Sequence, residues 1–249
     1  MSLINKYSNN ITKMEIDINN LRDDINNKLS DSGWERVLSP YINGLSFDHI
    51  MNTLVNNVNN GRRFTPKFKD TFNAFIECPY DDVKVVIVGQ DPYPQLGVAD
   101  GIAFSCSRKG KAEKSLQYIL KQTIGGYEET GRVMYTPEEC DLRRWSNQGV
   151  LMINTAFTCE INKIGSHYGI WKSFTEYVFD NINRHNPKTI FILMGKKAEA
   201  WQTLLPNCKI LKCSHPASAA YRGGEWDSKD VFNKANLELE KQGKTCIEW

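Results

Sequence analysis

Five side chains in this sequence are of types suited to breaking a bond beside a planar polar ring: Asp91, Tyr93, Phe104, Asn154 and His215. Asp91 stands in Gly89-Gln90-Asp91-Pro92-Tyr93-Pro94. Pro92 fixes its own φ and drives the preceding residue toward extended backbone, so the carboxylate sits in a rigid loop. Held in this way it can stabilise a nearby cation or orient a water; the same residue type also caps turns. Asn154 offers an acceptor and two donors in one plane, a match for a ring edge with adjacent N–H and C=O groups, or for strand-end backbone. His215 can donate to a developing anion or hold a proton, or it can be a structural histidine beside Pro216. Phe104 suits the floor under a stacked ring and Tyr93 a pocket wall, and both also suit plain packing. The chain has no Gly-x-Ser-x-Gly elbow and no Gly-x-x-x-x-Gly-Lys-Ser/Thr loop, which argues against acyl transfer and nucleotide triphosphate hydrolysis. The set fits recognition of a planar polar ring next to a centre that becomes cationic.

These residues need a scaffold, and the sequence announces an α/β one. Nearly continuous apolar runs at 83–89 (VKVVIVG), 150–154 (VLMIN) and 189–195 (TIFILMG) read as strands buried on both faces, and 209–213 (KILKC) as a fourth. Helical stretches are expected near 46–58, 67–77, 113–124, 138–148, 171–185, 196–204 and 228–242. The alternation predicts a central four-stranded parallel sheet with helices on both faces, a three-layer α/β/α fold. Ligands of such sheets bind beyond the carboxyl ends of the strands. The residues that follow the four strands are Gln90-Asp91, Asn154-Thr155, Gly195-Lys196-Lys197 and Ser214-His215, so an acid, a carboxamide, two cations and a histidine converge on one rim.

Composition bounds the alternatives. At 249 residues, 41% hydrophobic and 24% charged, the chain can bury a full core. It has no apolar run of the roughly 20 residues that span a bilayer, and its first residues lack the apolar core of a secretory signal. A soluble intracellular protein is expected, with no membrane association. The seven cysteines include no Cys-x-x-Cys pair and no histidine at zinc spacing, so free thiols are expected and no metal. Residues 1–32 differ from the rest, being rich in Asn and acidic residues. Met14, Ile18, Leu21 and Ile25 fall on one helical face, so this extension is expected to be helical or partly disordered and is a candidate partner-binding segment. Residues 33–249 form the expected catalytic domain.

Gly89-Gln90-Asp91-Pro92-Tyr93, directly after a buried strand, resembles the water-activating motif of family 1 uracil-DNA glycosylases. Further segments match that family in order. Gly101–Ser105 is similar to its uracil-stacking segment, 113–116 to its DNA-compressing loop and 148–155 to the strand bearing its uracil-reading Asn. Ser166-His167 with Trp171, the Ser214-His215-Pro216 loop and the Ile247-Glu248-Trp249 ending also correspond. The resemblance covers residue 33 to the end. It implies hydrolysis of the N-glycosidic bond of uracil in DNA by base flipping, as the first step of base-excision repair, without a cofactor. By the same resemblance, Asp91 and His215 are the catalytic residues: Asp91 supports the cationic sugar and the attacking water, and His215 donates to uracil O2. Phe104 stacks on the base, Asn154 reads its N3–H and O4, Tyr93 crowds C5 against thymine, and the backbone near Gln90 holds O2. Ser115, Lys196, Ser218, Ala219, Tyr221 and Arg222 fall where DNA is contacted.

The chain also departs from the family. Pro94 replaces the usual His, and Asp100 stands where many members carry His, which adds an expected second carboxylate near the pocket. The proline-rich loop has lost its prolines, and Lys196 replaces a serine. Ala217, Ala219 and Ala220 replace two phosphate-contacting serines and a leucine wedge, with Tyr221 and Arg222 as candidate substitutes. Apolar wedges are normally bulky, so a monomer that favours single-stranded over duplex DNA is expected. The alternative is a catalytically weak glycosylase-fold DNA-binding subunit of a replication or repair complex. A glycosylase of another family with broader base choice is a third reading.

Overall fold

The computed structural model describes residues 17–125, 127–129, 132–222 and 224–249. Its centre is a four-stranded, all-parallel sheet of Val85–Gly89 (β1), Val150–Asn154 (β2), Ile190–Met194 (β3) and Lys209–Cys213 (β4), in the order β2-β1-β3-β4. Two of the three apolar runs, β1 and β3, form the inner part of the sheet, and the third, β2, is one of its edges. Every residue of β1 and β3 is buried, as both-face coverage demands, whereas β4, at the other edge, exposes Lys209 and Lys212.

Strand order determines the layers. The chain leaves β1 toward β2 on one side, then crosses back over β1 to reach β3. Because both crossovers are right-handed as a rule, this reversal puts their helices on opposite faces. The helix Tyr168–His185 joins β2 to β3 and packs through Phe179, whose ring centroid lies 5.4 Å from that of Phe191. Helices Glu35–Ile42 and Leu45–Asn59 flank it. The short helix Arg143–Ser146 leads into β2 and brings Trp145 against Phe232 of the helix Val231–Lys241 and against Trp249. The fold is the expected three-layer α/β/α arrangement. The reversal at β1 also opens a crevice above its carboxyl end, the position where such sheets bind ligands.

Local structure departs from expectation in three places. The expected helix 138–148 reduces to Arg143–Ser146: a single turn, in which the Thr136 and Glu139 side chains each accept the other's backbone N–H, ends at Asp141, whose carboxylate accepts the Arg143 N–H. The expected helix 67–77 divides into a 3-10 turn, Phe68–Asp70, and the helix Asn73–Glu77. The helices Glu35–Ile42 and Pro216–Arg222 did not stand out in the pattern.

Within the N-terminal segment, Ile18–Ser30 is a helix capped by Asp17, whose carboxylate accepts the N–H groups of Asn19 and Asn20. Ile25 and Leu29 enter the core with Trp34, and Arg22 donates to the Ile42 carbonyl and pairs with Asp48 at 2.5 Å. Met14 lies outside the described residues. Among the described residues no helix is long and apolar enough to cross a membrane.

Leu29 is fully buried, and truncating a buried leucine to alanine costs about 2.7–5 kcal/mol. Leu29→Ala is therefore expected to lower unfolding stability in urea by about that amount. A loss below about 0.5 kcal/mol, typical of a surface change, would detach this helix from the folding unit.

Candidate active site

A cavity of 640 Å³ opens at the carboxyl ends of the strands. Gln90, Asp91, Tyr93, Phe104, Asn154 and His215 all line it, as do Ser115 and Ser218. The volume lies within the range of small-ligand sites.

Asp91 follows β1 directly. Its Oδ1 accepts the backbone N–H of Gly165 at 3.0 Å and its Oδ2 accepts the Gln90 amide. Burial pushes its pKa above the ordinary carboxylate value, while those two donors and the positive charge of Lys197 pull it back. The result is an anion aimed by fixed donors and poorly screened by water. The Gln90 carbonyl is itself held by Ala156 N–H at 2.9 Å and Thr155 Oγ1 at 3.2 Å, which locks the loop onto the end of β2.

Asn154 is the last residue of β2 and pairs in register with Gly89. A β-carbon on Gly89 would stand 2.3 Å from Asn154 Oδ1, so glycine is required for the carboxamide to lean over the end of β1. Among the described residues that carboxamide has no protein hydrogen-bond partner, which leaves its acceptor and donors for a ligand edge.

His215 follows β4, close against Gly195, whose φ is +88° and where a β-carbon would come within 2.8 Å of the His215 Cβ. Burial lowers the His215 pKa, favouring the neutral ring. The Ala217 backbone N–H donates to Nδ1 at 3.1 Å, so the proton of the neutral ring resides on Nε2. His215 is thereby set as a neutral hydrogen-bond donor. Its ring lies 5.8 Å from that of Phe104.

Phe104 has φ +65°, a conformation costing about 1–3 kcal/mol for a residue with a β-carbon. Two restraints hold it. Tyr93 Oη donates to its carbonyl at 3.0 Å, and the loop on either side is tied to Asp100. Asp100 Oδ1 accepts Ile102 N–H; Oδ2 accepts the hydroxyls of Ser105 at 2.7 Å and Ser107 at 2.6 Å and the Ser107 N–H at 3.2 Å. Asp100, expected as a second carboxylate near the pocket, sits between the lining residues Ala99 and Gly101 but does not face the cavity. It is fully buried, is absent from the lining, and organises the Phe104 loop instead.

The DNA-contact candidates divide. Ser115 lies in the first turn of the helix Lys114–Thr123 at the cavity edge, and Ser218 donates its hydroxyl to the His215 carbonyl at 2.7 Å. Lys196 is exposed outside the lining, and its neighbour Lys197 is the lysine whose charge reaches Asp91. Ala219 is buried in the core, outside the cavity. The side chains of Tyr221 and Arg222 lie outside the described residues. Gly165 escaped the sequence reading because it acts through its backbone; its position beside the Ser166-His167 motif was the available signal. Cys159, which touches the Pro92 carbonyl, has its thiol pushed up to about 12 by burial and is no nucleophile.

Ionised Asp91 opposes folding. Its folded-state pKa exceeds the ordinary value of 3.8, so the penalty is absent well below that value and complete once the pH exceeds the folded one. Asp91→Asn removes the charge, and Gln90 can turn its carbonyl to the new amide. The expected result is a higher Tm at pH 7, by about 2–4 °C for each kcal/mol relieved, shrinking as the pH falls toward the carboxylate range. A lower Tm at pH 7 would reject this account of the site.

The chain is similar to known proteins. The sequence profile of the Uracil DNA glycosylase superfamily matches residues 75–240. A uracil-DNA glycosylase of Fusobacterium nucleatum is 35% identical over 219 residues, 87% of this chain and 94% of that protein. Uracil-DNA glycosylase 1 of Listeria monocytogenes is 34% identical, over 87% of this chain and 96% of that protein. The crystal structure of mimivirus uracil-DNA glycosylase superposes with a TM-score of 0.75 at 25% identity, over 99% of this chain and 95% of that one.

Proposed function

The chain belongs to the uracil DNA glycosylase superfamily, and from that premise we propose that Asp91 and His215 act on opposite poles of the bond it breaks. The reaction is hydrolysis of the N-glycosidic bond of uracil in DNA, which leaves free uracil and an abasic site. The observation that carries the assignment of roles is the pairing of a buried, donor-held carboxylate with a neutral, Nε2-protonated histidine across one cavity.

The target nucleotide must leave the stack, because its glycosidic bond is unreachable inside a duplex. Phe104 then lies under the uracil ring, and the open carboxamide of Asn154 takes N3–H and O4. Tyr93, fixed by its hydrogen bond to Phe104, blocks the space a thymine methyl needs. As the C1′–N1 bond lengthens, its electron pair moves into the base and positive charge grows on the sugar. Asp91 faces that charge and orients the water whose oxygen bonds to C1′ and whose proton is lost. His215 Nε2–H donates to O2 as it becomes anionic. A donor preorganised in this way contributes about 2.7–4 kcal/mol in other enzymes. A neutral donor keeps its proton through the step, so uracil leaves as an anion. Residues 17–249 work as one catalytic unit, the helix Ile18–Ser30 included. Ala219, buried and small, offers no wedge, so single-stranded DNA is the better substrate. The protein acts as a monomer wherever the cell holds its DNA.

The deciding assay is release of uracil from a single-stranded and a duplex oligonucleotide. Wild type is expected to release uracil from both, faster from the single strand, and Asp91→Asn to release it at least about 100-fold more slowly, equivalent to about 2.7 kcal/mol. Full activity in Asp91→Asn would remove it from the mechanism, and equal rates on the two strands would remove the substrate preference. Gly89→Ala, which must displace the Asn154 amide, is expected to cut kcat/KM by about tenfold or more. Unchanged activity would mean that Asn154 does not read the base.

A further inference from the structure

A base taken out of a duplex leaves a gap in the stack, and proteins that hold such gaps open do so with bulky apolar side chains. The loop after His215 presents none among its described side chains: Ala219 carries a single methyl and is buried. Another part of the rim does present apolar bulk. Ile164 lines the cavity and is 61% exposed, and Leu96, next to the cavity-lining Gln95, is 59% exposed.

The turns bearing these residues are rigid and joined. Asn162 N–H donates to the Pro94 carbonyl at 2.9 Å, linking the turn of Ile164 to that of Leu96. The Ile164 turn is also pinned on its other sides. Ile161 N–H donates to Arg63 O at 2.9 Å, Lys163 N–H to Glu160 O at 3.0 Å, and Glu160 N–H to Ser166 Oγ at 2.7 Å. Asn162 at φ +60° and Gly165 at φ +80° make the reversal tight. The residue after Ile164 is Gly165, whose N–H holds Asp91. Whatever Ile164 touches is therefore placed in register with the reacting carboxylate. An isoleucine shown to water on a fixed turn at the mouth of the cavity gains from apolar cover, and it has little freedom to lose when covered.

We propose that Ile164, with Leu96 on the adjoining turn, forms an apolar lip that packs against the bases flanking the extruded nucleotide and holds the duplex open. The inference rests on uracil excision as the reaction and assigns the stack-holding contact to this side of the cavity. The occupant of the lip is a nucleobase of the substrate itself, because the lip is continuous with the cavity that takes the flipped base.

The test compares full-length wild type with Ile164→Ala, Leu96→Ala and Ile164→Leu on duplex and single-stranded uracil DNA. Ile164→Ala is expected to lower duplex kcat/KM about tenfold, equivalent to about 1.4 kcal/mol, and single-strand kcat/KM less than about twofold. Leu96→Ala should give a smaller loss, again on duplex only. Ile164→Leu, which keeps the bulk, should retain duplex activity, and all three variants should melt as wild type does. A second readout needs no turnover. In an Asp91→Asn background, 2-aminopurine placed beside the uracil of a duplex should brighten on binding as it unstacks, and Ile164→Ala should suppress that rise. Equal losses on both substrates, no loss on either, or an undiminished fluorescence rise overturns the lip. Wild-type protein that releases no uracil from any substrate overturns the reaction on which the lip rests. Active wild type with an indifferent Ile164→Ala overturns the lip alone.

Discussion

A β-carbon on Gly89 would fall 2.3 Å from Asn154 Oδ1, and the rest of the site depends on that missing atom. Parallel pairing puts Gly89 and Asn154 side by side at the carboxyl end of the sheet, and only an absent side chain lets the amide lean across instead of away. The same device recurs on the far side of the crevice, where Gly195 admits the Cβ of His215. A third instance lies beneath the stacking loop. There a β-carbon on Gly101 would stand 1.7 Å from the Asp70 carbonyl, so glycine alone allows the loop to rest on the Phe68–Asp70 turn. The sheet fixes where the functional side chains start, and the glycines decide where they can point.

Burial acts on the two central ionisable groups in opposite senses. It raises the Asp91 pKa and lowers that of His215, disfavouring the charged form of each. The protein answers the two differently. Asp91 receives two N–H donors and the field of Lys197, all of which favour the anion. His215 receives a donor on Nδ1, which favours the neutral ring and leaves Nε2–H to point outward. A carboxylate kept charged and an imidazole kept neutral are what a reaction needs when it creates a cation at one end of a bond and an anion at the other. Holding a desolvated anion there also lowers the stability of the free protein, so the arrangement trades stability for preorganised charge.

Much of this was legible in the sequence because buried parallel strands leave a strong local mark. The runs at 85–89, 150–154, 190–194 and 209–213 lie within the four segments expected as strands, and the residues after them converge as the topology requires. What stayed hidden was non-local or carried by the backbone. The hydrogen bond from Gly165 reaches Asp91 across 74 residues and has no residue-type signature. The helix expected from 138 begins only at Arg143, because the Asp141 side chain accepts the Arg143 N–H and so takes the place of a helical backbone bond there. Ile164 carries no mark in the sequence, because its exposure on a pinned turn is a property of the fold.

Asp100 shows why residue type alone misleads about a site. Standing where many family members carry His, Asp100 reads as a second carboxylate near the pocket, yet its oxygens are consumed by Ile102, Ser105 and Ser107, with Arg143 4.0 Å away. Those bonds bracket Phe104, the residue whose left-handed backbone must be paid for. A buried carboxylate that gathers donors from both sides of a strained residue narrows the conformations the loop can adopt, and a charge-assisted bond is roughly twice as strong as a neutral one. The hydroxyl of Tyr93 adds a restraint from the opposite wall by holding the Phe104 carbonyl. The Phe104 loop is thereby held in one conformation, so a ring stacked on it, as proposed, need not also supply the cost of ordering the loop. In this chain the carboxylate at position 100 acts on the cavity through the backbone of the loop that bears Phe104.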